Sequence, residues 1–221
     1  MQTKLCRLFW FIPFTCIACG YTDSGSGTRT LLVQARAQYA VSGGNQTNVT
    51  VSVADRDGTE ITDATVEITD GKNGQRYSIP HQNNGLYYIN IENYRRRLRL
   101  HVRSGDNELS AKLEGPGPHV IDYPKAGAIR RSRLGNKFKV EWSTEDGIRA
   151  DEVEISLRHG PEVNSKDDSG FNDDISMSQL TETGDYRLNL TRLNRINLGG
   201  GVDNSTFTIS YSVNTEFAII E

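Results

Sequence analysis

No cysteine follows position 19 in this chain of 221 residues. Cys6, Cys16 and Cys19 crowd the N-terminal end, so cysteine catalysis, thiolate-bound zinc and disulfide support are excluded for everything beyond them. Helical periodicity is also missing after residue 19; a short turn near Ser176 to Leu180 is the one helical expectation. The four histidines, His81, His101, His119 and His159, form no HxH, HExxH or HxxxH spacing. No Gly-x-Ser-x-Gly elbow, Walker loop or dinucleotide fingerprint is present. Charge of one sign is not in excess: the net charge of -3 argues against a uniformly basic nucleic-acid binder. At 36% hydrophobic and 24% charged the composition is that of a folded protein, not of a collagen, a disordered chain or a multi-span membrane protein. The length suits one large or two small domains.

What is present begins with an address. Lys4 and Arg7 precede an uncharged run, Leu8 to Ala18. As helix this run is about 16 Å long, roughly half a hydrocarbon core, which is the size of a signal-peptide apolar segment and too short to span. Cys16-Ile17-Ala18-Cys19 resembles the lipobox of bacterial lipoproteins, departing from it at Cys16, where Leu is usual. The resemblance implies a signal peptide over 1–18, cleavage after Ala18, and a diacylglycerol cysteine with palmitate-type acylation at Cys19. The alternative is a plain secretory signal in which Cys19 has no role. Gly20, rather than Asp, follows the cysteine, which favours the outer membrane in a Gram-negative cell. Residues 19–29 read as a Gly/Ser-rich flexible tether, about 17 Å in typical reach for ten residues.

From Thr30 the period is two. Leu31, Val33, Ala35 and Ala37 alternate with polar residues; Val49 to Val53, Val66 to Ile68, Leu98 to Val102 and Leu109 to Leu113 repeat the pattern between Asp/Asn/Gly turns. Short strands at this spacing predict a β-sandwich over 30–114. Val51 to Ile68 and Gly85-Leu-Tyr-Tyr resemble bacterial immunoglobulin-like and transthyretin-like surface modules, which serve as stalks, spacers and adhesion units. Gly115-Pro116-Gly117-Pro118 reads as a linker over 115–118, since proline cannot donate to a ladder. A second alternating block follows over 119–221, from Phe138-x-Val140-x-Trp142 to Phe217-x-Ile219. Trp142 and Ile121-Asp-Tyr-Pro124 resemble fibronectin type III-like and immunoglobulin-like domains. The expected fold class is all-β: two tandem antiparallel β-sandwich domains after the signal peptide.

Asn45, Asn48, Asn189 and Asn204 match the N-glycosylation acceptor pattern; in a bacterial envelope they read as polar strand and turn residues. The densest chemistry is Tyr94-Arg-Arg-Arg-Leu-Arg-Leu-His-Val-Arg103. On a strand, Leu98, Leu100 and Val102 share one face, and Arg95, Arg97, Arg99, His101 and Arg103 share the other, a ladder about 26 Å long. Such a ladder suits sulfated or phosphorylated glycans, lipid headgroups or an acidic protein face, with Tyr88 and Tyr94 as ring surfaces for sugars. It also suits a charged edge strand that blocks unwanted pairing. Asp167, Asp168, Asp173 and Asp174 are candidate oxygen ligands for calcium, but the EF-hand spacing is not met, and a solvated turn explains them as well. Residues 95–139 hold 12 Lys/Arg against 4 Asp/Glu, and residues 140–221 hold 6 against 16, so the two blocks attract or pair between copies. The expectation is a non-catalytic, lipid-anchored protein of a bacterial cell envelope, without cofactor, resident metal or nucleic acid. Its candidate partners are the membrane, an anionic glycan or an envelope protein. The alternatives are an accessory glycan-binding protein, a structural subunit of an envelope assembly, and an enzyme acting on envelope polymers.

Overall fold

Alternation of apolar with polar residues folds most of the described residues as strands. The computed structural model describes residues 21–82, 85–134, 137–158, 162–163, 168, 171–176, 180 and 183–221. The signal segment, Cys19 and Asp167 lie outside the described residues, as does most of the turn expected near 176–180. The strands are β1 (Asp23–Gly27), β2 (Leu32–Ala40), β3 (Gln46–Ala54), β4 (Thr65–Asp70), β5 (Arg76–Ser78), β6 (Tyr87–Glu92), β7 (Arg97–Ser104) and β8 (Asn107–Glu114). They continue with β9 (His119–Tyr123), β10 (Gly127–Arg130), β11 (Lys137–Thr144), β12 (Glu152–Arg158), β13 (Glu162–Val163), β14 (Asn172–Ser176), β15 (Gly184–Asn197) and β16 (Thr206–Ile220). Among the described residues one 3-10 turn, Arg131–Arg133, interrupts them.

Among the described residues the strands form three sheets. One has the order β1-β8-β7-β4-β5, another β14-β11-β9, and the largest runs β13-β12-β15-β16-β2-β3-β6, with β10 beside β16. Two apolar cores fill the space between them. The first joins Val66, Ile68, Leu98 and Leu100 of the five-stranded sheet to Val33, Ala35, Val49 and Val51 of the largest. The second joins Phe138, Val140 and Trp142 to Val153, Ile155, Leu188 and Leu190. Each fully buried Leu, Ile or Val contributes about 1.5–3 kcal/mol relative to exposure. The all-β class and the paired-sheet architecture are as the period-two pattern predicts.

The partition of the chain is different from the sequence expectation. The β15–β16 hairpin serves both cores: Leu198, Phe207 and Ile209 enter the first, and Tyr186, Val213, Phe217 and Ile219 the second. Its outer edge pairs in parallel with β2 through Thr206 to Ser212, then in parallel with β10 through Phe217 to Ile220. Residues 119–221 therefore complete the sandwich begun by 30–114, and the sheets are not purely antiparallel. Residues 19–29 are not all tether either, because β1 pairs with β8 from Asp23 onward.

Gly115, Pro116 and Gly117 are buried, so 115–118 is packed rather than free. The segment crosses the inner face of the shared hairpin between the two cores, where Asn194 Nδ2 donates to the Glu114 carbonyl (2.8 Å) and Arg192 to the Gly117 carbonyl (3.3 Å). A Cβ at Gly115 would stand 2.4 Å from Ile209 Cγ2 and 2.5 Å from Tyr94 Oη, which is why glycine is needed there.

Candidate functional site

The β7 strand lies inside its sheet, between β4 and β8, so its arginines do not guard an edge. Burial alternates along it as the sequence predicts: Leu98, Leu100 and Val102 point into the core, and Arg97, Arg99 and Arg103 are exposed on the outer side, with His101 half-buried among them. Register supplies what a single strand cannot show. Arg97 stands beside Glu114, His101 beside Glu67 and Arg103 beside Glu108 on the flanking strands. Arg97 Nε lies 3.2 Å from Glu114 Oε1, and His101 Nδ1 lies 3.9 Å from Glu67 Oε2. Carboxylates thus neutralise much of the ladder.

The centre is different. Arg76, Thr69, Arg99 and Lys112 form a transverse row across β5, β4, β7 and β8. Three of the four carry positive charge, and among the described residues no carboxylate lies within salt-bridge distance of them; Asp23 of β1, the register partner of Lys112, ends the row. Tyr21 lies on the same face. The Arg97 guanidinium sits 5.9 Å from its ring centroid, and the ring packs so closely on Gly71 that a Cβ there would collide with Tyr21 Oη. Burial raises the Tyr21 phenol above its ordinary pKa, while Arg99 and Arg97 pull against that shift. The row can bind phosphate, sulfate or carboxylate groups through charge-assisted hydrogen bonds, with a ring surface at one side. Lys112, Arg76 and Tyr21 were not visible as members of this face, because they come from three other segments and only register brings them together.

Other sequence candidates take other places. Arg95 turns inward, bonding the buried Asp70 at 2.9 Å. Tyr94 is no sugar platform: it is largely buried, donates to the Pro116 carbonyl at 2.6 Å, and meets Tyr211 edge-on with ring centroids 4.8 Å apart. Burial raises its phenol pKa strongly, so it stays protonated. Tyr88 lies on β6 in the opposite sheet, away from the arginines, and donates to Asn90 Oδ1 at 2.6 Å.

The acidic segment is also divided. Asp168 is buried and committed. Its Oδ1 accepts from Trp142 Nε1 (3.0 Å), and its Oδ2 from Arg192 Nε (2.9 Å), Arg192 Nη2 (2.6 Å) and the Ala150 backbone N–H (2.7 Å). Arg192 is equally buried and donates further to the Ile148 and Gly117 carbonyls. An acid so engaged has no oxygen to offer calcium. Asp173 and Asp174 lie on β14 and not in a loop, and Asp174 pairs with Lys137 at 3.2 Å. Asp168, Asp173 and Asp174 do not converge, and among the described residues no group of three or more His, Cys, Asp or Glu is placed to hold a metal ion.

Beside this pair, His119 is buried against the Tyr211 ring, with Nε2 3.3 Å from the Leu190 carbonyl oxygen. Burial, helped by the Arg192 charge, lowers its pKa to about 4, so it is neutral at neutral pH. These polar groups brace the junction of the two cores, away from the cationic row. Among the described residues, no helix is long and apolar enough to cross a membrane.

No protein-family model matches this chain, and no curated protein matches it. Solved structures do. One is the chicken CNTN1 FN1-FN3 domains, at 9% identity and a TM-score of 0.33, covering 85% of this chain and 65% of that one. Another is a Ca2+-stabilized adhesin that helps an Antarctic bacterium reach out and bind ice, at 13% identity and a TM-score of 0.28, covering 87% of this chain and 49% of that one. This chain thus spans less than two thirds of the length of either.

Proposed function

We propose that this chain is a non-catalytic binding protein, lipid-anchored through Cys19 in a bacterial cell envelope, whose cationic sheet face lies against the membrane surface and holds anionic headgroups. The observation that carries this reading is the place of Tyr21. It packs on the outer face of the five-stranded sheet beside Arg97 and Arg99. Two residues reach at most about 7 Å, so acyl chains on Cys19 would enter the bilayer next to that face. The unpaired row of Arg76, Arg99 and Lys112 is then directed at lipid phosphates, where each Lys or Arg contributes about 1 kcal/mol. Pairing of β1 with β8 shortens the tether that the sequence suggests, and so favours close seating over a raised domain.

Two measurements test the reading. Cys19→Ala should leave the protein unprocessed or soluble; labelled fatty acid still attached to that variant would reject the anchor. For the face, the acylated protein is placed in vesicles of anionic or zwitterionic phospholipid and treated with a water-soluble amine reagent. Labelling of Lys112 should fall several-fold in the anionic vesicles and recover in Arg99→Glu. Equal labelling in both lipids would reject the orientation.

A further inference from the structure

The outward side of the largest sheet carries a second arrangement, on the face opposite the cationic row. Register sets Arg195, Thr208, Arg36, Thr50 and Tyr88 side by side across β15, β16, β2, β3 and β6. With strands about 4.8 Å apart this row is about 19 Å long. Beside it runs a row of Asn197, Thr206, Gln34 and Ser52. At the arginine end Arg29, Asp203 and Asn204 wall a pocket of about 600 Å³ that Arg36 and Arg195 also line.

Three guanidiniums around one pocket repel each other, and Asp203 is the one carboxylate in its lining. Arg195 is partly compensated, with Nη1 3.3 Å from Glu152 Oε1 and Nε 3.4 Å from Thr208 Oγ1. Arg29 and Arg36 have no ion pair among the described residues. Arg29 is nevertheless held in place: its backbone N–H donates to the Gly200 carbonyl at 3.0 Å, and its φ of 58° lies in the left-handed region. The groups between the arginines are amides and hydroxyls, which both donate and accept and so match sugar hydroxyls. A guanidinium fork matches a carboxylate in two-point fashion. No aromatic ring lines the pocket to stack a base, and Asp203 opposes a densely charged polyphosphate. Tyr88 closes the far end of the row with a ring.

We infer that this pocket binds an acidic saccharide. The sugar carboxylate is held by Arg36 with Arg29 and Arg195, its hydroxyls by Gln34, Asn197 and Thr208, and further sugar units extend along the row toward Tyr88. The site is independent of the membrane-facing reading, since it lies on the other sheet.

The test is calorimetric titration of the full chain in detergent with oligosaccharides ending in uronate or sialate, against their methyl esters. The acids should bind, and the esters should bind at least tenfold more weakly. Arg36→Gln, which breaks no ion pair, should reduce affinity about tenfold with an unchanged melting temperature, and Arg195→Gln should reduce affinity by a similar factor. Lys125→Gln, at an exposed lysine outside the pocket lining and the cationic row, should have no effect. Failure of every acidic oligosaccharide to bind would overturn the inference. So would binding that survives Arg36→Gln, or binding that Lys125→Gln removes.

Discussion

Two buried residues at the junction invite quantitative tests. Arg192 and Asp168 have fully buried side chains and bond each other through two nitrogens. Removing one partner of such a pair leaves an unpaired charge in the interior, at about 3–5 kcal/mol. Asp168→Ala is expected to lower the unfolding free energy from urea titration by that amount, whereas Asp168→Leu with Arg192→Met should recover most of it. His119 supplies a pH dependence with a definite sign. Its folded pKa of about 4 lies below the ordinary histidine value of 6.5, so the unfolded chain takes up the proton first. Its contribution is present in full above about pH 6.5 and is lost as pH falls toward 4, by roughly 3 kcal/mol in total at 1.36 kcal/mol per pKa unit. Urea midpoints measured across that window should slope downward with acid, and His119→Phe should flatten the slope. A slope unchanged in His119→Phe would place the titrating group elsewhere.

Among the elements, the β15–β16 hairpin determines how the molecule unfolds. The alternating pattern alone suggests two independent sandwiches, in which Trp142→Ala would melt 119–221 and spare the rest. The shared hairpin predicts otherwise. Phe207 and Ile209 lie in the first core, Val213 and Phe217 in the second, on one unbroken strand. Trp142→Ala, at about 3–5 kcal/mol for a large buried aromatic, should lower a single calorimetric transition for both halves. A fragment of residues 30–118 should fail to show dispersed amide resonances, because it lacks the strand that pairs with β2 and three residues of its core. Two separate transitions, or a well-folded fragment, would contradict this.

For the whole molecule, the charges are divided between two faces of unlike character. The cationic row and Tyr21 occupy one sheet; the arginine-lined pocket and the Thr, Asn and Gln rows occupy the opposite one. In the proposed membrane-bound orientation, with acyl chains beside the first, the second would be directed away from the membrane. The proposed headgroup binding through three cations would be screened over about 8 Å at physiological salt. Residual association of the Cys19→Ala protein with anionic vesicles should therefore fall steeply between low and physiological salt in a flotation assay. Association indifferent to salt would show that the row is not its cause. With no cysteine after position 19, a reducing agent should leave the melting temperature unchanged.

The strands were legible because a half-buried strand needs alternation, and Val33, Val49, Val66, Leu98, Phe138 and Phe207 mark it without reference to any partner. So was the outward direction of Arg97, Arg99 and Arg103, which follows from the inward direction of Leu98, Leu100 and Val102. Their pairing was not legible. Which carboxylates stand beside which arginines depends on register with β4 and β8, up to tens of residues away, and no local pattern encodes it. The same holds for Tyr94, whose burial comes from contact with Tyr211 and Pro116, and for Asp168, turned from a surface acid into a buried partner by Arg192. The sequence by itself determined an all-β chain with one charged strand face. Only the tertiary structure decided that one hairpin would finish both sandwiches and that cations from separate strands would meet on two opposite faces, because strand pairing is a non-local contact.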